Sequence, residues 1–301
     1  KLLFSKTRFY WREFVKFSTL PPNYKREVIR SILVLKLLTH VGGAIVAAPT
    51  TSLPETVGGV RNWDYRYCWL RDSSFTIDTL TKICHFDEAE AYIDWLTRLC
   101  QISKKELQIV YKVDGSKSLF EKTLPHLAGY KNSKPVRVGN HAYIQRQIDV
   151  YGEVIETFYL FFEHYGYKEI ELRHWKVIEK IVNMVIGQWQ KKDSGLWEFR
   201  GISKHFTFSK LMCWVALDRG VKLAKKRNEL ALARQWAKIR DIIRRDIMKH
   251  AWNSKVQAFT QSYDSDALDA SNLLMPYFGF LSATHPKMVK TIKLTKMVPT
   301  E

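Results

Sequence analysis

The stretch Ile148-Asp149-Val150-Tyr151-Gly152-Glu153-Val154-Ile155-Glu156-Thr157-Phe158-Tyr159-Leu160-Phe161-Phe162 decides the fold class. Ile148, Tyr151, Ile155, Phe158 and Phe162 step by three and four residues, the spacing that brings side chains onto one face of an α-helix. The next segment repeats the pattern through Trp175, Ile178, Val182, Val185 and Trp189, so helices are expected over 140–165 and 168–190. Working outward, the same reading places helices at 5–17, 23–40, 72–83, 87–104, 206–227, 229–250, 268–281 and 286–297. In 23–40 the buried series is Val28, Ile32, Leu35 with Asn23 as cap; Asp87 and Glu90 open 87–104 in capping-box spacing. Strand signal is confined to Gln108–Val113. The fold class is all-α, and the paired helices resemble a toroid of helical hairpins more than an open solenoid.

Composition agrees. The 301 residues are 46% hydrophobic and include 16 Phe, 14 Tyr and 10 Trp, which excludes a disordered tail, a collagen or a coiled-coil rod. The longest nearly apolar run, Val41 to Pro49, is far short of the ~20 residues a membrane helix needs. Cys68, Cys84, Cys100 and Cys213 form no CxxC pair, so neither a zinc site nor a disulfide scaffold is suggested. The chain begins at Lys1 and carries no signal peptide, which reads as a soluble, cytoplasmic protein whose own N-terminus is missing. The net charge of +18 raises a nucleic-acid partner, but the basic residues are scattered. Short clusters at Lys104-Lys105, Lys191-Lys192, Lys225-Lys226-Arg227 and Arg244-Arg245 sit among acidic residues, with no zinc-finger, KH or RRM signature. A solvated basic surface is the better reading, and neither nucleic acid nor membrane is expected as a partner.

Two connections, 41–71 and 105–139, are too long for simple helix hairpins, and loops of that length are usually functional. The first ends in Asn62-Trp63-Asp64-Tyr65-Arg66-Tyr67-Cys68-Trp69-Leu70-Arg71-Asp72. Aromatic faces there suit the C–H side of a sugar ring. Arg71 can donate a fork of hydrogen bonds and Asp72 can accept two, a grip for adjacent hydroxyls. The competing reading has Asp72 merely capping a helix that begins near Ser73. A second stretch, Asp193-Ser194-Gly195-Leu196-Trp197-Glu198-Phe199-Arg200-Gly201, sets Glu198 between two aromatics on a Gly-bounded loop. A carboxyl held against apolar rings loses solvation of its charged form and can stay protonated as a general acid. The bland alternative is a surface Glu paired with Arg200.

These segments resemble glycoside hydrolase family 15, the glucoamylase and glucodextranase family that also contains microbial trehalases. The resemblance is carried in order by Gly43 to Glu55, Arg61 to Asp72, Pro135 to Asn140, Gly195 to Glu198, Ser209 to Arg219, and Leu268 to Ser271 with Pro276 and Gly279 to Leu281. It implies an (α/α)6 barrel, with 1–22 as a linker helix region and 23–301 as a catalytic domain holding about nine of twelve helices. It implies hydrolysis of an α-glucosidic bond at a non-reducing glucose with inversion, without metal or organic cofactor, on a small saccharide or α-glucan. Glu198 matches the general acid. Arg71 and Asp72 match the pair that grips the innermost glucose; Tyr65, Trp69 and Trp197 match aromatics around it. Asp149 and the Gln145-to-Gly152 segment fall near the barrel mouth.

The general base, which an inverting glycosidase needs ~6.5–9.5 Å from the acid, is in this family a Glu within a Pro-Gln-Ala-Phe-Ser-His type segment. Nothing here matches it before the chain stops at Glu301. The leading expectation is a glucoamylase-like α-glucoside hydrolase of which this chain is an inactive fragment. The alternatives are a trehalase of the same family and a truncated, non-catalytic protein that binds a sugar or a partner. The oligomeric state stays open.

Overall fold

The structure, a computed structural model, describes residues 1–103, 106–166 and 170–297. The Lys104-Lys105 pair, the end of the 87–104 helix, the start of the 168–190 helix and residues 298–301 lie outside them. Internal packing divides the chain into two units, one of 1–144 with 163–165, the other of 145–162 with 166–301.

The first unit opens with α1 (Leu2–Lys16) and α2 (Lys25–Leu38). Asn23 does not cap α2; Tyr24 occupies that position at φ 59°, with no side-chain bond to the helix end. Among the described residues, three short antiparallel strand pairs follow within the long connections. They are β1 (Thr51–Pro54) with β2 (Asn62–Asp64), β3 (Cys68–Trp69) with β4 (Val110–Tyr111), and β5 (Lys122–Thr123) with β6 (Arg137–Val138). Only β4 was legible in the sequence, because pairs two to four residues long have too little alternation to register. Between them α3 (Leu70–Lys82) packs on α4 (Phe86–Ile102), burying Leu70, Ile77, Leu80, Tyr92, Ile93, Leu96 and Leu99. Each such side chain contributes about 1.5–3 kcal/mol when fully buried. No capping box forms at α4: His85 holds the cap position and makes no side-chain cap bond.

The second unit contains α5 (Asp149–Tyr165, as far as Phe162), α6 (Leu172–Gln188), α7 (Thr207–Lys226), α8 (Leu230–His250) and α9 (Pro286–Met297). A short hairpin, β7 (Trp252–Asn253) with β8 (Ala258–Phe259), follows α8. Burial separates the helices into two kinds. Along α7 every residue from Thr207 to Val221 is buried, and α5 buries even Asp149, Glu153, Glu156 and Thr157. By contrast α8 buries only Ala233, Trp236, Ile243 and Ile247, a single stripe. Helices buried all round are interior and striped ones are exterior, so within the second unit α5 and α7 are inner helices and α8 an outer one. Gly152 permits the closest approach of two inner helices, since a Cβ there would strike the Met212 carbonyl of α7.

Two expectations change. Residues 141–144 form only a 3-10 turn, and the helix begins at Asp149 after an irregular lead-in. The stretch 268–281 is not an α-helix but a 3-10 turn, Ala270–Leu274, followed by tight turns; Asp269 caps it by accepting from Ser271 N–H (2.8 Å). Its apolar residues mimic helical spacing while Pro276 and Gly279, at φ 76°, interrupt the backbone.

Candidate functional site

In the first unit the aromatic loop is assembled by buried polar groups that sequence reading missed. The Asp64 carboxylate, fully buried, accepts from Arg66 Nε and Nη2 (both 2.9 Å) and from Gly139 N–H (3.0 Å). Asn140 Nδ2 donates to the Asp64 carbonyl (3.2 Å). Arg137 donates through Nη1 to the Val60 and Asn62 carbonyls (3.0 and 2.9 Å), and its guanidinium lies 4.6 Å from the centre of the Trp63 ring. The Arg137-to-Asn140 segment is therefore a brace for the 60–66 loop. Ala47 and Ala48 N–H groups donate to the Tyr67 and Tyr65 carbonyls (both 2.9 Å), bracing it from the other side.

On that frame Tyr65 and Trp69 sit with ring centres 5.8 Å apart. Trp69 is buried at 2% exposure and Tyr65 is the partly open member at 38%. Trp69 ends β3 and precedes the first helical residue of α3, Leu70. Arg71 and Asp72 fall in the first turn of α3, with Arg71 Nε 3.8 Å from Asp72 Oδ2. Asp72 is not the helix cap, because the helix starts two residues before it and no side chain caps that end. Its carboxylate is 43% exposed and the Arg71 side chain 18%, so an acceptor pair and a donor fork stand side by side. The position near a helix N-terminus also favours negative charge on Asp72.

In the second unit Glu198 lies on the 189–206 loop between α6 and α7. Asp193 and Lys204 close the base of the loop by exchanging backbone bonds, each 3.0 Å. Its tip turns through Glu198 N–H to the Gly195 carbonyl (3.0 Å) and Phe199 N–H to the Ser194 carbonyl (3.3 Å). Glu198 itself has φ 57°, the left-handed region that non-glycine residues disfavour. Gly195 is also left-handed, φ 66°, and a Cβ there would come within 2.7 Å of the Phe206 ring. Phe199 stacks on Phe206 with centres 5.5 Å apart. Of the two rings expected to flank the acid, then, Phe199 is committed to loop packing, and Trp197 stays 54% exposed. The Trp197 indole N–H donates to Asp269 Oδ2 (2.8 Å), which also accepts from Gln261 Nε2 (3.2 Å).

The loop that carries Glu198 is tied to the irregular lead-in of α5 at three points. Gln145 Nε2 donates to the Glu198 carbonyl (3.1 Å), Ser194 N–H to the Arg146 carbonyl (2.9 Å), and Ile148 N–H to Asp193 Oδ2 (3.0 Å). Ser209 of α7 also donates to Asp193 Oδ2 (2.7 Å). Burial, with the Asp149 carboxylate nearby, pushes the Asp193 carboxyl up to about 7. Lys210, 1% exposed, donates to the Trp189 and Lys191 carbonyls at the end of α6, and burial lowers its pKa. Tyr65, Trp69, Arg71 and Asp72 are thus assembled within the first unit, and Trp197 and Glu198 within the second. Asp64, Asp193, Gln145 and Asp269 are the supporting residues that spacing alone did not single out.

Comparison with known proteins adds the following. The family model described as glycosyl hydrolases family 15 matches residues 22–296. A trehalase of Mycobacterium tuberculosis is 42% identical over 94% of this chain and 42% of its own length. A trehalase of Thermoplasma acidophilum is 35% identical over 97% of this chain and 50% of its own, and trehalase 2 of Sulfolobus acidocaldarius 37% over 96% and 50%. The chain therefore spans about half the length of the curated relatives it matches. Among solved structures, the glucoamylase of Saccharomycopsis fibuligera superposes with a TM-score of 0.65 at 17% identity, covering 94% of this chain and 62% of that one. A bacterial glucoamylase complexed with acarbose gives 0.68 at 14% identity, covering 94% and 41%. These neighbours carry the (α/α)6 fold.

Proposed function

The chain belongs to glycosyl hydrolase family 15, and on that premise we propose that the protein hydrolyses trehalose by an inverting acid/base mechanism. The observation that carries the substrate is the run of relatives named trehalase, at 34–42% identity across nearly the whole of this chain. The glucoamylase structures, at 14–17% identity, speak to the fold alone. The weight therefore moves from the glucoamylase-like expectation to its trehalase alternative.

In this reading Arg71 and Asp72 hold hydroxyls of one glucose, Arg71 donating and Asp72 accepting, and the Tyr65 ring offers an apolar face to its C–H side; the family resemblance gives Trp197 a like role. Trp69 backs Tyr65. Glu198 donates its proton to the bridging oxygen as the C–O bond breaks, so the leaving glucose departs neutral. A water attacks the anomeric carbon from the opposite face. No residue of this chain matches the base that would activate that water.

The test is a rate comparison on the whole natural protein with trehalose, maltose, isomaltose and starch, following the first products by proton NMR. Inversion at one of the two anomeric carbons of trehalose releases α- and β-glucose in equal amounts at early times. Trehalose as the preferred substrate with that product ratio is expected. Faster release from maltose or starch would return the reading to an α-glucan hydrolase, and no release from any of them would favour a sugar-binding protein.

A further inference from the structure

We propose that Asp193 is the positioning residue of Glu198: its buried carboxyl locks the acid-bearing loop to the lead-in of α5 and the first turn of α7, with Gln145 holding the Glu198 carbonyl. The inference rests on the reading of Glu198 as the acid. It deepens that reading by naming what aims the acid.

Three observations converge. Glu198 holds a left-handed backbone conformation, which persists only where the surroundings over-determine it. The contacts that over-determine it are those of Asp193, Ser194 and Glu198 with residues 145–148, one at each of three levels of the loop. The Gln145 amide is itself held, since its Oε1 accepts from Gln147 Nε2 (3.0 Å) and Gln147 is buried. Asp193 is 2% exposed, and one oxygen takes both the Ile148 N–H and the Ser209 hydroxyl. A carboxyl is a costly choice for anchoring a loop that neutral groups could anchor, because burying it penalises its charge. The charged and titratable groups around it are Asp149 from α5, and Lys210 and Cys213 from α7. With Asp149 beside it, the neutral carboxyl is the form that fits. Below about pH 7 the carboxyl is held neutral by its burial and by Asp149, with Oδ2 still accepting both bonds; ionisation above that adds a buried charge beside Asp149.

The experiment compares trehalose with α-glucosyl fluoride in the whole natural protein. Fluoride leaves as a stable anion when its C–F bond breaks, so it needs no proton from Glu198, whereas the trehalose bridging oxygen does. Asp193→Ala is expected to lower kcat on trehalose about a hundredfold, the penalty of roughly 1 Å of misplacement, with the fluoride rate and KM much less affected. Gln145→Ala is expected to show the same bias at about tenfold, the loss of one hydrogen bond. Asp193→Asn, which keeps an accepting oxygen and mimics the neutral carboxyl, is expected to restore the trehalose rate and to lack the fall in kcat expected of wild type as Asp193 ionises at about pH 7.

Stability gives a second readout. Because the folded-state value lies above the ordinary ~3.9 of an aspartate, the folded protein binds this proton more tightly than the unfolded chain. Its contribution is therefore greatest below about pH 4, falls as pH rises to about 7, and is level beyond. The wild-type melting temperature should lose more across that window than that of Asp193→Asn. Should Asp193→Ala fail to fold, the Asp193→Asn profiles decide alone. Equal losses on both substrates, or an unchanged pH profile in Asp193→Asn, would overturn the proposal. If Glu198→Gln lacks the same substrate bias, the acid assignment fails instead.

Discussion

The residues proposed to grip the sugar and the proposed acid are held in place by different means. Arg71 and Asp72 are consecutive residues of a regular helix, α3, whose start is set by the β3–β4 pair and a buried apolar face. Their relation is dictated by backbone geometry, which a neighbouring substitution barely disturbs. Glu198 sits eight residues short of Phe206, at the tip of a loop with left-handed backbone, where side chains of other elements supply the restraints. A grip tolerates small shifts because hydroxyls can reorient, but proton transfer does not. On the proposed reading, rigid secondary structure serves binding, while a web of side-chain bonds serves the chemistry.

The largest effect that would break this contrast is at Glu198. Glu198→Gln is expected to lower kcat on trehalose by about 10²–10⁴-fold with KM nearly unchanged, since the amide keeps size and polarity and loses only the proton. A steady-state kcat and KM in the whole protein checks this; near-normal turnover would sink the acid assignment. Next comes Asp72→Ala, expected to weaken kcat/KM about tenfold to a hundredfold, the range for a hydrogen bond involving a charged group. That loss should appear mainly in KM and fall equally on trehalose and α-glucosyl fluoride, because the grip acts before the bond breaks. An Asp72 variant with a trehalose-selective kcat defect would erase the distinction between the two regions.

How much of this could be read beforehand follows from the same physics. The long helices were legible because their apolar residues repeat over four or five turns, as in Ile148 to Phe162 and Trp175 to Trp189. The capping assignments at Asn23 and Asp87 failed, because a polar residue near a helix start has many competing partners and spacing does not say which it takes. The stretch 268–281 misled because apolar spacing survives in a chain of turns. Arg71, Asp72 and Glu198 were visible as unusual polar residues among aromatics. Asp64, Asp193 and Gln145 were not, since the bonds that tie them to other elements span 75, 45 and 53 residues of sequence. Contacts of that range leave no local pattern.

The smallest expected effect sharpens the contrast between two tryptophans. Trp69 is buried at 2% and belongs to the frame; Trp197 is 54% exposed, and its indole N–H is pinned by Asp269, 72 residues on. Trp197→Phe keeps an aromatic face but releases that bond, so the ring loses its fixed orientation and Asp269 keeps its bonds from Gln261 and Ser271. The loss of one such bond, about 1 kcal/mol, corresponds to a roughly fivefold decrease in kcat/KM on trehalose. Because half the ring already faces solvent, the melting temperature should move by no more than about 2 °C, within the range of surface substitutions. Kinetics and a thermal melt on the same preparation decide the matter. A large drop in melting temperature with unchanged kcat/KM would make Trp197 a packing residue like Trp69, and would leave Tyr65 as the exposed aromatic of the proposed sugar site.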